Sequence, residues 1–257
     1  MKIDNRLDEI ANYVIEKGEV RIDELVTRFN VSRMTIHRHI DRLAQQGVIR
    51  KLHGAVSAQP SGIYESLFRY RETVSTAEKA ALAQAALAYI SGGEVVVLDD
   101  SSTVNALAPL LPDAAPLTVV TNSVPALATL RDVDGIDLIC TGGQYHRTYN
   151  AYIGHNCLNT IARLRADVFI CSASAVEGTT AFIQDQQVVS VKQAMMASAS
   201  KRILLVDHTK FGKVALHVFD DLTSFDVVLV DDRLPPADAQ RLRDAGVRLQ
   251  VIRTARR

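Results

Sequence analysis

Disulfides, membrane spans and bulk charge are all missing from this sequence. Its three Cys stand at 140, 157 and 171. An odd number at wide spacing builds no disulfide framework and points to a reducing compartment. No apolar run approaches the roughly 18 residues of a membrane span. The start, MKIDNRLDEI, is too charged for a signal peptide. A cytoplasmic protein with no membrane partner is therefore expected. Basic and acidic residues both number 29, for a net charge of 0, so bulk attraction to polyanions is excluded. With 47% hydrophobic and 23% charged residues, 13 Gly and 7 Pro, disordered and collagen-like classes are excluded too. What remains is a globular chain of 257 residues, long enough for one large domain or two smaller ones.

The charge is unevenly spread. Among the charged residues of 1–27, seven are acidic and four basic. Residues 28–53 hold Arg28, Arg33, Arg38, Arg42, Arg50 and Lys51 with three His against a single acid, Asp41. A short positive segment on a near-neutral body suits a local nucleic-acid contact. Leu7, Ile10, Ala11, Val14 and Ile15 recur at helical steps and predict a first helix stopping near Gly18. Val20 and Ile22 fit a short extended piece. A second helix with Leu25, Val26 and Phe29 inward ends at Asn30, and Ser32 can cap a third. In that helix Ile36, Ile40 and Leu43 make one buried stripe, and Gly47 can end it. VIRKLHGAV then reads as a hairpin around His53-Gly54. This order is that of a winged helix-turn-helix, with the third helix sized for the major groove of double-stranded DNA. Candidate DNA-binding residues are Ser32, Arg33, Thr35, His37, Arg38 and Arg42 on that helix, and Arg50, Lys51 and His53 on the wing. Arg33 and Arg38 suit guanine edges or phosphates, Thr35 a thymine methyl or a phosphate, and the wing residues the backbone or minor groove.

From Arg6 to Val56 the chain resembles the DeoR family of bacterial sugar-catabolism regulators, most specifically over VSRMTIHRHIDRLAQQGVIRKLHGAV. Where that family usually reads Thr-Ile-Arg-Arg-Asp-Leu, this chain has Thr35-Ile36-His37-Arg38-His39-Ile40.

Ser, Pro and Gly collect over residues 57–66 and mark a boundary. Ser75-Thr76-Ala77-Glu78 matches a capping box, opening an Ala-rich helix that buries Leu82, Ala86 and Ile90 and closes at Gly92-Gly93. Short β-branched runs follow at 95–98, 117–120, 136–140, 168–171, 203–206, 227–230 and 247–252, with helical stretches between several of them. Such a pattern predicts a mostly parallel sheet covered on both faces. Ligands of these sheets sit beyond the carboxyl ends of the strands. There the sequence places Asp99, Asp100, Ser101, Ser102 and Thr103, then Thr121, Asn122 and Ser123, then Gly142 and Gly143, then Ser172 and Ser174, and finally Lys210. Hydroxyls, backbone N–H groups and a lysine suit a phosphate, while the two acids suit sugar hydroxyls. Each loop alone also reads as an ordinary cap or turn; their convergence at one edge describes a pocket for a phosphorylated sugar or polyol.

Residues 65–233 resemble the DeoR sensor domain through that acidic Ser/Thr loop, VVTNS at 119–123, TGG at 141–143 and DHTKFGK at 207–213. The resemblance implies a body similar in fold to ribose-phosphate isomerase that binds phosphorylated sugars as inducers. The alternative is an isomerase-like enzyme using Asp99, Asp100, Glu177 and Lys210; the attached DNA-binding module argues for binding without turnover. Cys140, His146, His155 and Cys157 lack the paired spacing of zinc sites, and Cys140, Cys171 and all four Met read as packing. No dinucleotide or nucleotide loop is present, so neither metal nor cofactor is expected. The fold class is thus α/β. A winged helix-turn-helix occupies 1–56, a linker 57–74, and an effector-sensing and oligomerisation domain with a mostly parallel sheet 75–257. The function expected is a repressor of a sugar or polyol operon. A homo-oligomer, dimer or tetramer, is expected because one winged helix spans too few base pairs for specificity.

Overall fold

The computed structural model describes residues 2–45, 49–57 and 68–254. They divide into two compact units, Met1–Tyr70 and Arg71–Arg257. The Ile15 side chain, the Gly47 stop and residues 58–66 lie outside the described parts.

In the first unit α1 (Lys2–Lys17) buries Leu7, Ile10, Ala11 and Val14, and Gly18, at φ +77°, breaks it. After β1 (Glu19–Arg21), Ile22 opens α2 (Ile22–Phe29) rather than extending the strand. Asp23 and Glu24 in the first turn of α2 favour this, since acids there complement the helix dipole. Asn30 ends α2 in the left-handed conformation that its short amide tolerates. α3 (Arg33–Gln45) presses Ile36, Ile40 and Leu43 into the core at four- and three-residue spacing. β2 (Arg50–Leu52) and β3 (Ala55–Ser57) form the hairpin, in sheet order β1-β3-β2. β3 is buried and β2 exposed, so the wing turns Arg50 and Lys51 outward.

α4 (Phe68–Thr73) and α5 (Thr76–Leu87) precede the large sheet. The capping box is not formed. Ser75 has φ +52°, whereas a capping residue needs an extended backbone to aim its oxygen at the helix. Glu78 instead pairs with Arg233 at 2.8 Å. Nor does Gly92-Gly93 close α5, which stops at Leu87; Gly93, at φ +89°, serves the turn into the first sheet strand.

All seven predicted strands occur and make one sheet. They are β4 (Val95–Leu98), β5 (Leu117–Thr121), β6 (Ile136–Cys140), β9 (Ala166–Cys171), β12 (Ala199–Val206), β14 (Val227–Asp231) and β15 (Leu249–Ile252). Every pairing is parallel, in the order β15-β14-β12-β9-β4-β5-β6. Val96, Leu98, Val119, Ile170 and Leu205 share a cluster with Leu82 and Ala86 of α5 and with α7 (Val124–Leu130). Val97, Val120, Phe169 and Leu204 point the other way, clustering with α8 (His155–Ile161) and α9 (Gln186–Ser198). Each fully buried aliphatic contributes roughly 1.5–3 kcal/mol, so apolar strands are stable here only because both faces are covered.

Two small antiparallel sheets crown the strand tips and were not expected. β7 (Gln144–His146) pairs with β8 (Ala151–Ile153). β10 (Ala175–Glu177), β11 (Thr180–Ile183) and β13 (His217–Asp221) make the other. Two packing expectations also fail. Cys140 is exposed, because β6 is an edge strand, and Met34 on α3 is 82% exposed. Met195 and Met196 of α9 are buried.

Candidate functional site

In the first unit Ser32 Oγ accepts from the Thr35 amide at 3.2 Å and lies 2.9 Å from Thr35 Oγ1, fixing the start of α3. His37, Arg38 and Arg42 are exposed on its outer face; Thr35 is half-buried. Arg33 pairs with Asp23 at 3.1 Å, and Lys51 pairs with Asp41. Both ion pairs are more than half exposed or close to it, so they cost little to open. Arg50, Lys51 and His53 are exposed on the wing. α3 and the wing therefore present cations together with Met34, an apolar contact that composition alone could not place.

His39, where the resembled family carries Asp, points inward and is 3% exposed, with Nδ1 accepting and donating nothing. Burial, then Arg38, Arg42 and Arg6, hold its pKa below the usual 6.5. The fold thus favours the neutral ring while the unfolded chain takes up a proton near 6.5. Stability is intact above that pH and is lost as pH falls through it toward the folded value. Thermal melts of the full chain between pH 7.5 and 5.5 should show the helix-turn-helix weakening with acid. His39→Leu should flatten the slope, and an unchanged slope would assign it to other groups.

At the strand tips of the second unit the expected residues do come together, with unequal roles. Ser101 Oγ accepts from the Val104 amide at 3.2 Å and caps α6 (Ser102–Asn105). Ser123 Oγ caps α7, and Thr121 Oγ1 accepts from the Ser123 amide at 3.0 Å. These three hydroxyls do local work; Ser102 and Thr103 lie buried in the first turn of α6 and do not cap it. Asn122 donates from Nδ2 to Tyr152 O at 3.0 Å, tying the β7–β8 hairpin to β5. Gly143, at φ +118°, could carry no Cβ, which would lie 2.5 Å from Ile153 O. Gly142 donates to Cys140 Sγ at 3.4 Å. Ser174 donates from its amide to Phe182 O at 2.9 Å.

Asp99 is the centre of an ionic knot. It accepts from the amides of Ser101 and Ser172, each at 2.9 Å, and from Lys192 Nζ of α9. Lys192 Nζ also donates to Ser172 O at 3.2 Å and lies 3.8 Å from Asp100 Oδ1. Burial works against the Lys192 ammonium, but Asp99 and Asp100 outweigh it and hold its pKa above the usual value. Burial raises the Asp100 pKa from its ordinary value, against the pull of Lys192. The Asp99 carboxylate is therefore fully engaged within the protein.

Beside this knot cations gather. Lys79 of α5 is 4% exposed and donates to Arg71 O. Burial, and after it the charge of Lys210, draw the Lys79 pKa down to about 8; Arg71 acts in the same direction. Lys210 sits on a short turn (His208–Lys210) that Asp207 caps, accepting from the Thr209 amide at 3.0 Å. That turn is fixed to β14 by Asp231, which accepts from the His208 amide at 2.6 Å and lies 2.8 Å from its ring Nδ1. Sequence reasoning found Lys210 but missed Lys79, Arg71 and Lys192, which lie in helices far along the chain. A Lys inside an otherwise apolar helical face was the available signal. A surface depression of about 440 Å³ lies elsewhere, at the amino ends of β5 and β6 against Pro116 and Asp137, away from these groups.

A helix-turn-helix with an exposed basic reading helix, joined in one chain to a parallel α/β unit with a polar, cation-ringed strand edge, defines a ligand-sensing DNA-binding regulator. Residues 6–61 match the DeoR-like helix-turn-helix domain and 74–232 the DeoR C-terminal sensor domain, so the chain belongs to the DeoR family of transcriptional regulators. It is 32% identical over 246 residues to the HTH-type transcriptional regulator YgbI of Escherichia coli (strain K12), covering 95% of this chain and 96% of that one. It is 29% identical over 252 residues to the glycerol-3-phosphate regulon repressor of the same organism, covering 98% and 100%. Among solved structures, D-ribose-5-phosphate isomerase in complex with phospho-erythronic acid overlaps 52% of each chain at 19% identity and a TM-score of 0.39, too slight a likeness to inform function. The family is one of regulators, not enzymes. Among the described residues no helix is long and apolar enough to cross a membrane.

Proposed function

We propose that this protein represses a sugar or polyol catabolic operon and is released by a phosphorylated sugar held at the carboxyl edge of the large sheet. The observation that carries the proposal is the grouping of Arg71, Lys79 and Lys210 there. Like charges repel, and a lysine drawn down to about 8 by burial and then by the charge of Lys210 regains its favoured charged form when an anion binds beside it. Ser102 and Thr103 add hydroxyls beside them. Asp99 takes the role of a brace, through Lys192, rather than of a sugar ligand. On the DNA side Arg38, Arg42, Arg50, Lys51 and His53 meet the duplex, with Arg33 and His37 at the start of α3. Two copies of the chain pair so that two reading helices span a repeated site. For the effector to release DNA it must bind the DNA-free protein more tightly than the operator complex.

A thermal-shift screen of phosphorylated sugars and polyols identifies the ligand, since occupancy of the folded state raises its melting temperature. Lys79→Met and Lys210→Met should then each weaken that ligand about tenfold or more, as loss of a hydrogen bond to a charged group does, with operator affinity unchanged. Binding should also weaken as pH rises through about 8, where Lys79 gives up its proton. Variants that titrate like the parent would move the anion site elsewhere. Sedimentation of the full chain as a monomer would remove the pairing.

A further inference from the structure

The cations account for one end of a bound ligand and leave three buried polar atoms beside them unexplained. Asp100 Oδ1 accepts no hydrogen bond, since Lys192 Nζ at 3.8 Å is too distant to donate. Asn122 Oδ1 accepts nothing while its Nδ2 is tied to Tyr152 O, a partner that can only accept and so fixes which end of the amide is which. His146 Nδ1 is likewise buried without a partner. Asp100 and Asn122 are 2% and 0% exposed, and the register Leu98↔Thr121 between β4 and β5 sets them at adjoining strand tips. His146 is joined to these tips by the hairpin, where it pairs with Ala151, and Ala151 in turn bridges to Ser123, the neighbour of Asn122. The His146 imidazole centroid is 5.0 Å from that of Tyr149, and the Arg71 guanidinium, which feels the charge of Asp100, lies 5.7 Å over the Tyr149 ring.

An unpartnered buried polar atom costs about 1–3 kcal/mol, and folded proteins hold few of them. Asn122 Oδ1 can only accept, and Asp100 Oδ1 accepts whenever its carboxyl is ionised, so what satisfies them is a ligand that brings donors. We propose that Asp100, Asn122 and His146 read the hydroxyl-bearing end of the effector, and that the effector is the phosphate of a polyol or neutral sugar rather than of a sugar acid. This rests on the anion site proposed above. Replacing the terminal hydroxymethyl by a carboxylate removes one hydroxyl donor from that end of the ligand. It would also add a negative charge beside Asp99 and Asp100, whose ammonium partner Lys192 is already shared between them. The β7–β8 hairpin then sets specificity, with the rings of His146 and Tyr149 as its wall and Asp185, 4.0 Å from His146 Nε2, behind it.

The test is calorimetric titration of the full chain with matched pairs: erythritol 4-phosphate and 4-phosphoerythronate, ribitol 5-phosphate and 5-phosphoribonate, sorbitol 6-phosphate and 6-phosphogluconate. Inorganic phosphate is the reference. At least one polyol phosphate should bind tenfold or more tightly than its acid. His146→Phe keeps the ring contact and removes both nitrogens; it should weaken that polyol phosphate about tenfold and leave inorganic phosphate unchanged. His146→Gln, which restores a polar atom, should recover part of the loss. Failure of every polyol phosphate to bind more tightly than its acid overturns the proposal, as does a polyol affinity indifferent to His146→Phe. Should neither the pairs nor inorganic phosphate bind the parent, the anion site itself is disproved and this assignment with it.

Discussion

Lys192→Met should lower the stability of the C-terminal unit by about 3–5 kcal/mol, the usual cost of removing one partner from a buried ion pair. In a unit of this size each kcal/mol shifts melting by roughly 2–4 °C, so a fall of about 10 °C is expected. The loss should depend on pH in a particular direction. Burial already raises the Asp100 pKa from its ordinary value, with Lys192 pulling it back. Without the ammonium the carboxyl rises further. A carboxyl whose pKa is raised by folding stabilises the fold below its ordinary value of 3.8 and loses that contribution as pH climbs through the folded value. The deficit of the variant should therefore be largest near pH 7.5 and shrink toward pH 5. Melting curves of the full chain at pH 5, 6 and 7.5 measure it. A constant deficit would mean that Lys192 acts through packing alone. Asp99→Asn combined with Lys192→Met should recover part of the loss, because the two side chains are in direct contact.

Arg38→Ala is expected to weaken operator binding about tenfold or more while the melting of the C-terminal unit stays where it is. Arg38 is exposed, sits one turn into α3 and has no acid partner among the described residues, whereas Arg33 is paired with Asp23 and Lys51 with Asp41. A duplex selected by the parent protein from a random pool supplies the probe. Its affinity, measured across a salt series, also sorts the contact. Loss of a phosphate contact reduces the salt slope by about one, whereas loss of a base contact leaves the slope and relaxes preference at one position. Arg33→Ala should cost less than Arg38→Ala. Equal affinities for parent and Arg38→Ala at every salt concentration would take the outer face of α3 out of the interface.

The seven sheet strands were legible because most contain a short apolar run rich in β-branched residues, and a parallel sheet buries such runs on both faces. The helix-turn-helix was legible from the Ile36, Ile40 and Leu43 spacing and from the Asn30 turn. The crowning hairpins were not, since strands such as β7 and β10 are three residues long and leave no periodicity to read. The capping box failed for a backbone reason: Ser75 matches the motif in type but not in conformation. Loop chemistry was half legible. Which hydroxyls converge could be read from the strand ends. Which of them are engaged by local caps, and which cations from α4, α5 and α9 arrive beside them, depends on contacts such as Lys192 to Asp99, 93 residues apart. Cys140 and Met34 were misplaced because an apolar type says nothing about whether its strand is at an edge or its helix face is covered.

The exposure of Cys140 has a practical outcome. Cys157 and Cys171 are buried, and burial pushes both thiols above their ordinary pKa, which keeps their thiolate population small. A maleimide dye should therefore couple at Cys140 first, one residue before the Thr141-Gly142-Gly143 loop and within reach of the Gly142 amide. The dye-labelled native chain thus offers a fluorescence readout for titrating metabolites, with no engineered cysteine.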